Sequence, residues 1–251
     1  MSFNGKTVWV VGASTGIGKA LAERLADDGA PAVCVSSRSE DALQAMAAER
    51  PAIRPYPLDV TDKAAVAAAA EAIEREVGAI DIAVFNAGAY TPMGLDDWDL
   101  AEIETGVAVN YLGVVYGLDA VMAPMRTRGR GRVALTASVA GYRGLPNAIS
   151  YGPTKAAIIS LAETLRNELK DAGVTLQVIN PGFVRTPLTD KNDFEMPQLI
   201  EPEDAAREIA KGLQSDKFEI AFPRPFVWQL MLLRMLPYPW FFRLIRTMTG
   251  V

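Results

Sequence analysis

The chain has 251 residues, half of them apolar, and a formal net charge of −5. That length suits one large α/β domain, and the apolar share supplies a buried core, which excludes global disorder. The acidic balance argues against nonspecific nucleic-acid binding, and the absence of histidine excludes His-containing nucleophile triads and His-based metal sites, leaving acid–base work to Tyr, Lys, Asp or Glu.

The first apolar run, residues 7–11, reads as a strand, and a glycine-rich turn leads from it into a helical stretch at 16–28. Strand-like runs follow at 32–36, 53–58, 80–85, 131–136, 175–179 and 218–221. Between them lie Ala- and Leu-rich helical stretches at 40–50, 63–77, 100–109, 112–126, 150–171 and 202–214. The apolar runs do not alternate with polar residues, so both faces of the sheet are expected to be covered. Strands alternating with helices imply right-handed βαβ units and one parallel, doubly wound sheet. Cys34, the single cysteine, sits in the second run; it permits no intrachain disulfide and fits a small buried hydrophobe in a reducing cytoplasm. The opening Met-Ser-Phe-Asn-Gly-Lys shows no apolar signal-peptide core, so a cytoplasmic location is expected.

In the turn, Gly12 permits a tight bend, Gly16 lets backbone approach a pyrophosphate, and Gly18 allows close helix–strand packing. Free N–H groups at the helix start then face phosphates. Tyr151 and Lys155 are four apart at the start of the 150–171 helix, so phenol and ammonium share one face. A phenol titrates near 10, and an adjacent ammonium is expected to lower it. Ser138 lies just past the 131–136 strand and Asn110 ahead of an apolar helix. Taken singly, Ser138 reads equally as a turn or cap residue, and Asn110 as a helix-kink hydrogen bonder.

Taken together, these residues resemble the short-chain dehydrogenase/reductase family. Its glycine turn has the form of Gly12-x-x-x-Gly16-x-Gly18, and Asn110, Ser138, Tyr151 and Lys155 match its catalytic tetrad in order and spacing. Asn86-Ala87-Gly88 resembles its Asn-Ala-Gly segment beside the cofactor, and Asp59-Val60 its adenine-contacting pair; Asp59 also reads as a helix cap for the segment after Thr61. The resemblance covers about residues 5–222 and implies a Rossmann-like, seven-stranded parallel sheet, helices on both faces, in strand order 3-2-1-4-5-6-7. It implies a nicotinamide cofactor held by Ser14, Thr15, Ile17 and the turn glycines, with Pro181-Gly182 and the backbone of Val184 over the nicotinamide, assisted by the Thr186 hydroxyl. It also implies roles: Ser138 binds the substrate oxygen, Tyr151 exchanges its proton, Lys155 holds the nicotinamide ribose, and Asn110 fixes a water linking Lys155 to solvent. An alcohol dehydrogenase using NAD and a non-catalytic NADP(H) sensor remain the alternatives.

Cofactor choice is read at the end of strand two, where an acid selects NAD and an arginine accommodates the phosphate of NADP. Here Ser37 occupies the acid's place and Arg38 follows, which favours NADP(H) over NAD(H). The alternative is an exposed Arg38 paired loosely with Glu40 or Asp41.

The loop 140–148 and the segment 187–200, a candidate substrate lid, are largely apolar through Tyr142, Leu145, Phe194, Met196 and Leu199, with Arg143, Lys191 and Asp193 interspersed. A lipophilic carbonyl or alcohol suits them. The domain proper is expected over 1–222, followed by an apolar, Arg-containing helical extension over 223–251 that Pro237 and Pro239 divide. Its first helix, 226–236, spans roughly 16 Å, too short to cross a bilayer. Two readings stand for the extension: interfacial contact with the inner face of a membrane, or packing against protein. The apolar helices 112–125 and 156–169 are expected, by the resemblance, to form a homodimer or homotetramer interface.

Overall fold

In a computed structural model that describes residues 3–250, the strands are β1 (Thr7–Val11), β2 (Ala32–Ser36), β3 (Ile53–Pro55), β4 (Ile82–Phe85), β5 (Gly131–Thr136), β6 (Val174–Pro181) and β7 (Glu219–Phe222). They form one parallel sheet in the order β3-β2-β1-β4-β5-β6-β7. The period of two along each strand divides the core between the faces. Val8 and Val10 turn toward α1 (Gly16–Asp27), α2 (Glu40–Glu49) and α7 (Pro202–Leu213), burying Leu21, Leu43 and Ile209. Trp9 and Val11 turn the other way, toward α3 (Lys63–Glu76), α5 (Gly113–Arg128) and α6 (Gly152–Asp171), burying Ile73, Leu118 and Ile158. Burial on both faces explains why the strand runs lack alternation. Cys34 is fully buried in β2, and burial pushes its thiol up to about 12.

Several boundaries shift by a residue or two, β4 starting at Ile82 and α6 at Gly152, and three differences bear on the sheet and the core. β3 proper ends at Pro55, but the Tyr56 and Leu58 N–H groups still donate to the Val35 and Ser37 carbonyls at 2.9 and 3.1 Å, so 56–58 runs on beside β2 with Pro55 and Pro57 at the alternate positions that face the open edge of the sheet. β6 continues to Pro181, two residues beyond the expected end, and carries Asn180 and Pro181 to the top of the sheet. The expected helices at 100–109 and 112–126 are one continuous run: α4 (Leu100–Gly106), a π-helix (Val107–Leu112) and α5. That run is long and apolar enough to cross a membrane by length and composition, but Val114, Leu118, Val121 and Met125 bury one of its faces in the core. After β7 come α8 (Arg224–Met235) and α9 (Tyr238–Thr249), divided at Pro237.

Candidate active site

The carboxyl ends of β1, β4, β5 and β6 converge on one cleft of about 340 Å³. Its floor is the glycine turn. The Gly12 N–H donates to the Ser36 carbonyl at 2.7 Å, and its φ of +87° belongs to the left-handed region that glycine tolerates. A Cβ at Gly12 would strike the Ala87 backbone, and one at Gly18 would enter the Gly12 carbonyl. Asn86 Nδ2 donates to that same carbonyl at 3.1 Å, so the Asn-Ala-Gly segment braces the turn. Gly16 lies under the Thr186 methyl, again where a Cβ would collide. Thr15 is the N-cap of α1 but its side chain caps nothing, so the first-turn N–H groups beside Gly16 and Ile17 remain available on the cleft wall. Ser14 is half-buried in the turn.

Ser138, Tyr151 and Lys155 all line this cleft. Ser138 follows β5 on extended backbone; its Oγ accepts from the Ala140 N–H at 3.1 Å and its hydroxyl donates to the Pro181 carbonyl at 3.4 Å. Tyr151 is the N-cap residue of α6, and Pro153 stands in the first turn, where no amide bond is lost. Lys155 is 2% exposed, and its Nζ donates to the Thr136 carbonyl at 2.9 Å. Burial pulls its ammonium down to about 8.

The phenol departs from the expected direction. Burial pushes Tyr151 up to about 12, with a Ser138 hydrogen bond opposing and Tyr90 adding to the rise. The Lys155 ammonium was expected to lower it, but lies 5.4 Å from the ring centroid and points to the Thr136 carbonyl. Desolvation of the phenolate therefore wins within the protein itself.

Asn110 sits in the π-helix, fully buried. Its Oδ1 accepts the Ala89 N–H at 2.7 Å, while Nδ2 donates to the Ala89 carbonyl at 2.9 Å and to Thr154 Oγ at 3.1 Å. Both amide hydrogens are engaged, so the side chain ties the strand-β4 loop to α6.

At the far end, Asp59 is not the helix cap. Asp62 caps α3 through Ala64 and Ala65, whereas Asp59 Oδ1 accepts from the Thr61 N–H at 2.9 Å and its hydroxyl at 2.8 Å. Those bonds hold the Asp59 carboxyl below the usual carboxylate range, and the Arg38 charge adds to them. Val60 is buried against Gly113. Arg38 is exposed and forms no salt bridge with Glu40 or Asp41; Ser37 Oγ accepts the Ser39 N–H at 3.2 Å. Beyond β6, the bridge of Val184 to Ile200 is bonded through its neighbours, Phe183 O and Arg185 N, while Thr189 Oγ donates to the Val184 carbonyl at 2.6 Å. Gly182 and Val184 line the cleft with Thr186.

These residues fit a nicotinamide dinucleotide. The turn admits no Cβ, the α1 N-terminus is uncapped, a buried cation faces the cleft, and the buried Thr136 hydroxyl has no partner among the described residues. The sequence profile described as short chain dehydrogenase matches residues 6–196. The chain belongs to that family. An oxidoreductase of Myxococcus xanthus is 34% identical over 244 residues, covering 94% of each chain. Among solved structures, a 3-ketoacyl-(acyl-carrier-protein) reductase from Brucella melitensis complexed with NADH superposes with a TM-score of 0.81 at 27% identity, covering 88% of this chain and 96% of that one. An alcohol dehydrogenase from the archaeon Thermococcus sibiricus complexed with 5-hydroxy-NADP gives 0.78 at 27% identity, covering 86% and 95%. The protein is thus an NAD(P)-dependent dehydrogenase/reductase.

This short-chain dehydrogenase brings four further residues to the site that sequence reasoning missed. Thr136 ends β5 and Thr154 lies inside the Tyr-Gly-Pro-Thr-Lys stretch, where spacing alone marks neither. Tyr90, two positions after Gly88, packs edge-on against Tyr151 at 5.1 Å, and its hydroxyl donates to Asn192 Oδ1 at 2.7 Å. Phe183 packs edge-on against Phe194 of the lid segment at 5.7 Å. Two expected lid-side residues point elsewhere. Tyr142 is buried and donates to Glu219 Oε1 at 2.6 Å. Arg143 turns to α8, because that helix end presents unpaired carbonyls.

Proposed function

We propose that this enzyme is an NADP(H)-preferring oxidoreductase acting on a lipophilic carbonyl/alcohol pair, with Tyr151 as general acid/base. The observation that carries the reading is the convergence of Ser138, Tyr151 and Lys155 in the cleft whose floor is the glycine turn. When bound, the nicotinamide supplies hydride exchange with the substrate carbon. The turn glycines, Ser14, Thr15 and Ile17 would hold its phosphates. Asp59 and Val60 would hold the adenine, Asn86, Ala87 and Gly88 would line its path, and Pro181, Gly182, Val184 and Thr186 would hold the carboxamide end. Arg38 and Ser37 would take the ribose phosphate that distinguishes NADP.

The chain's own proton handling follows from its bonds. Ser138 donates a hydrogen bond to the substrate oxygen, and Tyr151 delivers its phenolic proton to the same atom. A phenol pushed up to about 12 is protonated at neutral pH, which supports working in the reducing direction. Lys155 keeps donors free beyond Thr136 and would bind the nicotinamide ribose. Because both Asn110 amide hydrogens are engaged and its Oδ1 already accepts the Ala89 N–H, a part in reprotonation would fall to a remaining lone pair of its carbonyl oxygens, which would accept from a water. Apolar Phe183, Phe194 and Leu188 on the lid side support a lipophilic substrate. The reading extends to a cytoplasmic homodimer or homotetramer built on α5 and α6, tested by mass in solution. The main test is a panel of hydrophobic ketones and aldehydes assayed with NADPH and with NADH. Activity with NADPH in preference to NADH is expected; NADH-selective turnover discards the Arg38 assignment, and nucleotide binding without any turnover discards the enzyme mechanism.

A further inference from the structure

α8 and α9 carry side chains that neither the core nor the proposed reaction uses. Trp228, Leu232 and Met235 recur along one face of α8 and are 66%, 60% and 73% exposed. On α9, Phe241 and Ile245 are buried at the centre of the apolar arc, while Trp240 and Phe242 flank them at 65% and 61% exposure. Residues 220–251 hold four of the 25 basic residues and none of the 30 acidic ones. The four are Arg224, Arg234, Arg243 and Arg246, all exposed. In α9, Arg243 and Arg246 fall on the face opposite Phe241 and Ile245.

Exposed aromatic rings interleaved with guanidinium groups that make no ion pair among the described residues match an interface that is apolar below and anionic above. A second copy docked here by two-fold symmetry would set this cationic surface against itself, with no acid in the segment to answer it. Each helix has 12 residues, about 18 Å, which is too short to span a hydrocarbon core but suits lying in its boundary. We propose that α8 and α9 form a docking surface for an anionic lipid bilayer, with Trp228, Trp240 and Phe242 in the lipid boundary and Arg243 and Arg246 at the headgroup phosphates.

The surface is joined to the substrate side of the cleft. Phe226 of α8 lies 5.5 Å from Phe183, which in turn packs on Phe194 of the lid. Arg143, in the connection between Ser138 and Tyr151, donates to the carbonyls of Leu233, Arg234 and Leu236 and stacks 4.0 Å from the Phe241 centroid. The bilayer then lies against the side of the enzyme that bears the lid. Docking itself stands on the tail alone and holds whatever Tyr151 does.

The test is flotation of the full-length protein with vesicles of phosphatidylcholine alone and of phosphatidylcholine mixed with phosphatidylglycerol, at low and high salt. The wild type is expected to float with the mixed vesicles, to float less at high salt, and to stay behind with phosphatidylcholine. Trp228→Ser/Trp240→Ser/Phe242→Ser is expected to abolish flotation and leave turnover of a water-soluble ketone unchanged. Arg243→Gln/Arg246→Gln is expected to weaken partitioning roughly thirty-fold. As a second readout, brominated phosphatidylcholine in the mixed vesicles quenches tryptophan fluorescence in the wild type, and Trp228→Phe/Trp240→Phe loses that quenching while still floating. A wild type that fails to float overturns the proposal, as does a triple variant that floats undiminished. If instead the triple substitution halves the mass in lipid-free solution without altering flotation, the surface is a subunit interface. None of these outcomes depends on turnover, so they separate this proposal from the hydride-transfer reading.

Discussion

Lys155 and Arg143 are both cations that donate to main-chain carbonyls, and they stand on opposite sides of the same helix start. Arg143 gathers three carbonyls where α8 ends and covers two aromatic rings, Tyr238 and Phe241. The carbonyls of Arg234 and Leu236 lie where a helix end leaves acceptors open, at the negative end of its dipole, while Leu233 O also accepts the Leu236 N–H at 3.3 Å; the guanidinium reaches all three through Nη1. Lys155 has three donors and one recorded acceptor, the Thr136 carbonyl, in a place where it is 2% exposed. Burying an incompletely paired ammonium costs free energy, which is why burial pulls it down to about 8. Arg143 therefore acts as a clamp on a helix end, its Nη1 shared among three carbonyls and its plane stacked on two rings, whereas Lys155, buried beside the cleft, holds donors for a ligand.

The largest effect expected from this contrast is at Tyr151, the group Lys155 accompanies. Tyr151→Phe should bind NADPH normally, measured by fluorescence titration, yet lose turnover by a factor on the order of 10² or more. Undiminished turnover would place the chemistry elsewhere and leave Lys155 as merely another buried cation. Next in size is Arg38, exposed and in no salt bridge among the described residues. Arg38→Leu should raise KM for NADPH roughly ten-fold or more and leave KM for NADH unchanged, as loss of a charge-assisted bond requires. Equal effects on both nucleotides would remove Arg38 from cofactor choice.

The pH profile sharpens the account of Lys155. Its ammonium is charged below about 8 and neutral above it, so the loss runs upward in pH. For the reduction of a neutral ketone held at saturation, kcat/KM for NADPH reports groups of the nucleotide-free enzyme. It should therefore hold level below about 8 and fall above it, approaching ten-fold per pH unit. Tyr151, pushed up to about 12, stays protonated across that fall and does not set it. A profile that stays level through pH 10, roughly the ordinary lysine range, would mean that the charge on Lys155 is dispensable.

How much of this was legible in the sequence follows from the range of each interaction. The sheet was readable because strands buried on both faces appear as unbroken apolar runs, and the glycine turn because a Cβ is excluded at Gly12 and Gly18. Tyr151 and Lys155 were readable through helical spacing. Thr154 and Tyr90 were not, since their roles come from contacts with Asn110 and Asn192, which lie far away along the chain. The direction of the Tyr151 shift was also hidden, because spacing reveals a neighbouring charge but not the burial that outweighs it. In the tail, composition supplied aromatics and arginines, but only the structure separates buried Phe241 and Ile245 from exposed Trp240 and Phe242.

The smallest effect is expected at the clamp. Arg143→Leu keeps an apolar stem over Tyr238 and Phe241 but leaves the carbonyls of Arg234 and Leu236 without the guanidinium, Leu233 O keeping the Leu236 N–H. Those groups lie at a partly exposed helix end where water can replace the guanidinium, so the cost should be about 1–2 kcal/mol rather than the larger penalty of a buried orphan. Thermal unfolding should show a drop of a few degrees, and trypsin should cut at Arg234 sooner than in the wild type. Turnover of a water-soluble ketone should change less than about three-fold, because no Arg143 donor reaches the cleft. Should Arg143→Leu instead reduce turnover as deeply as Tyr151→Phe, with the tail still resistant to trypsin, Arg143 would belong to the proton-handling machinery and the division between clamp and ligand-holding cation would fail.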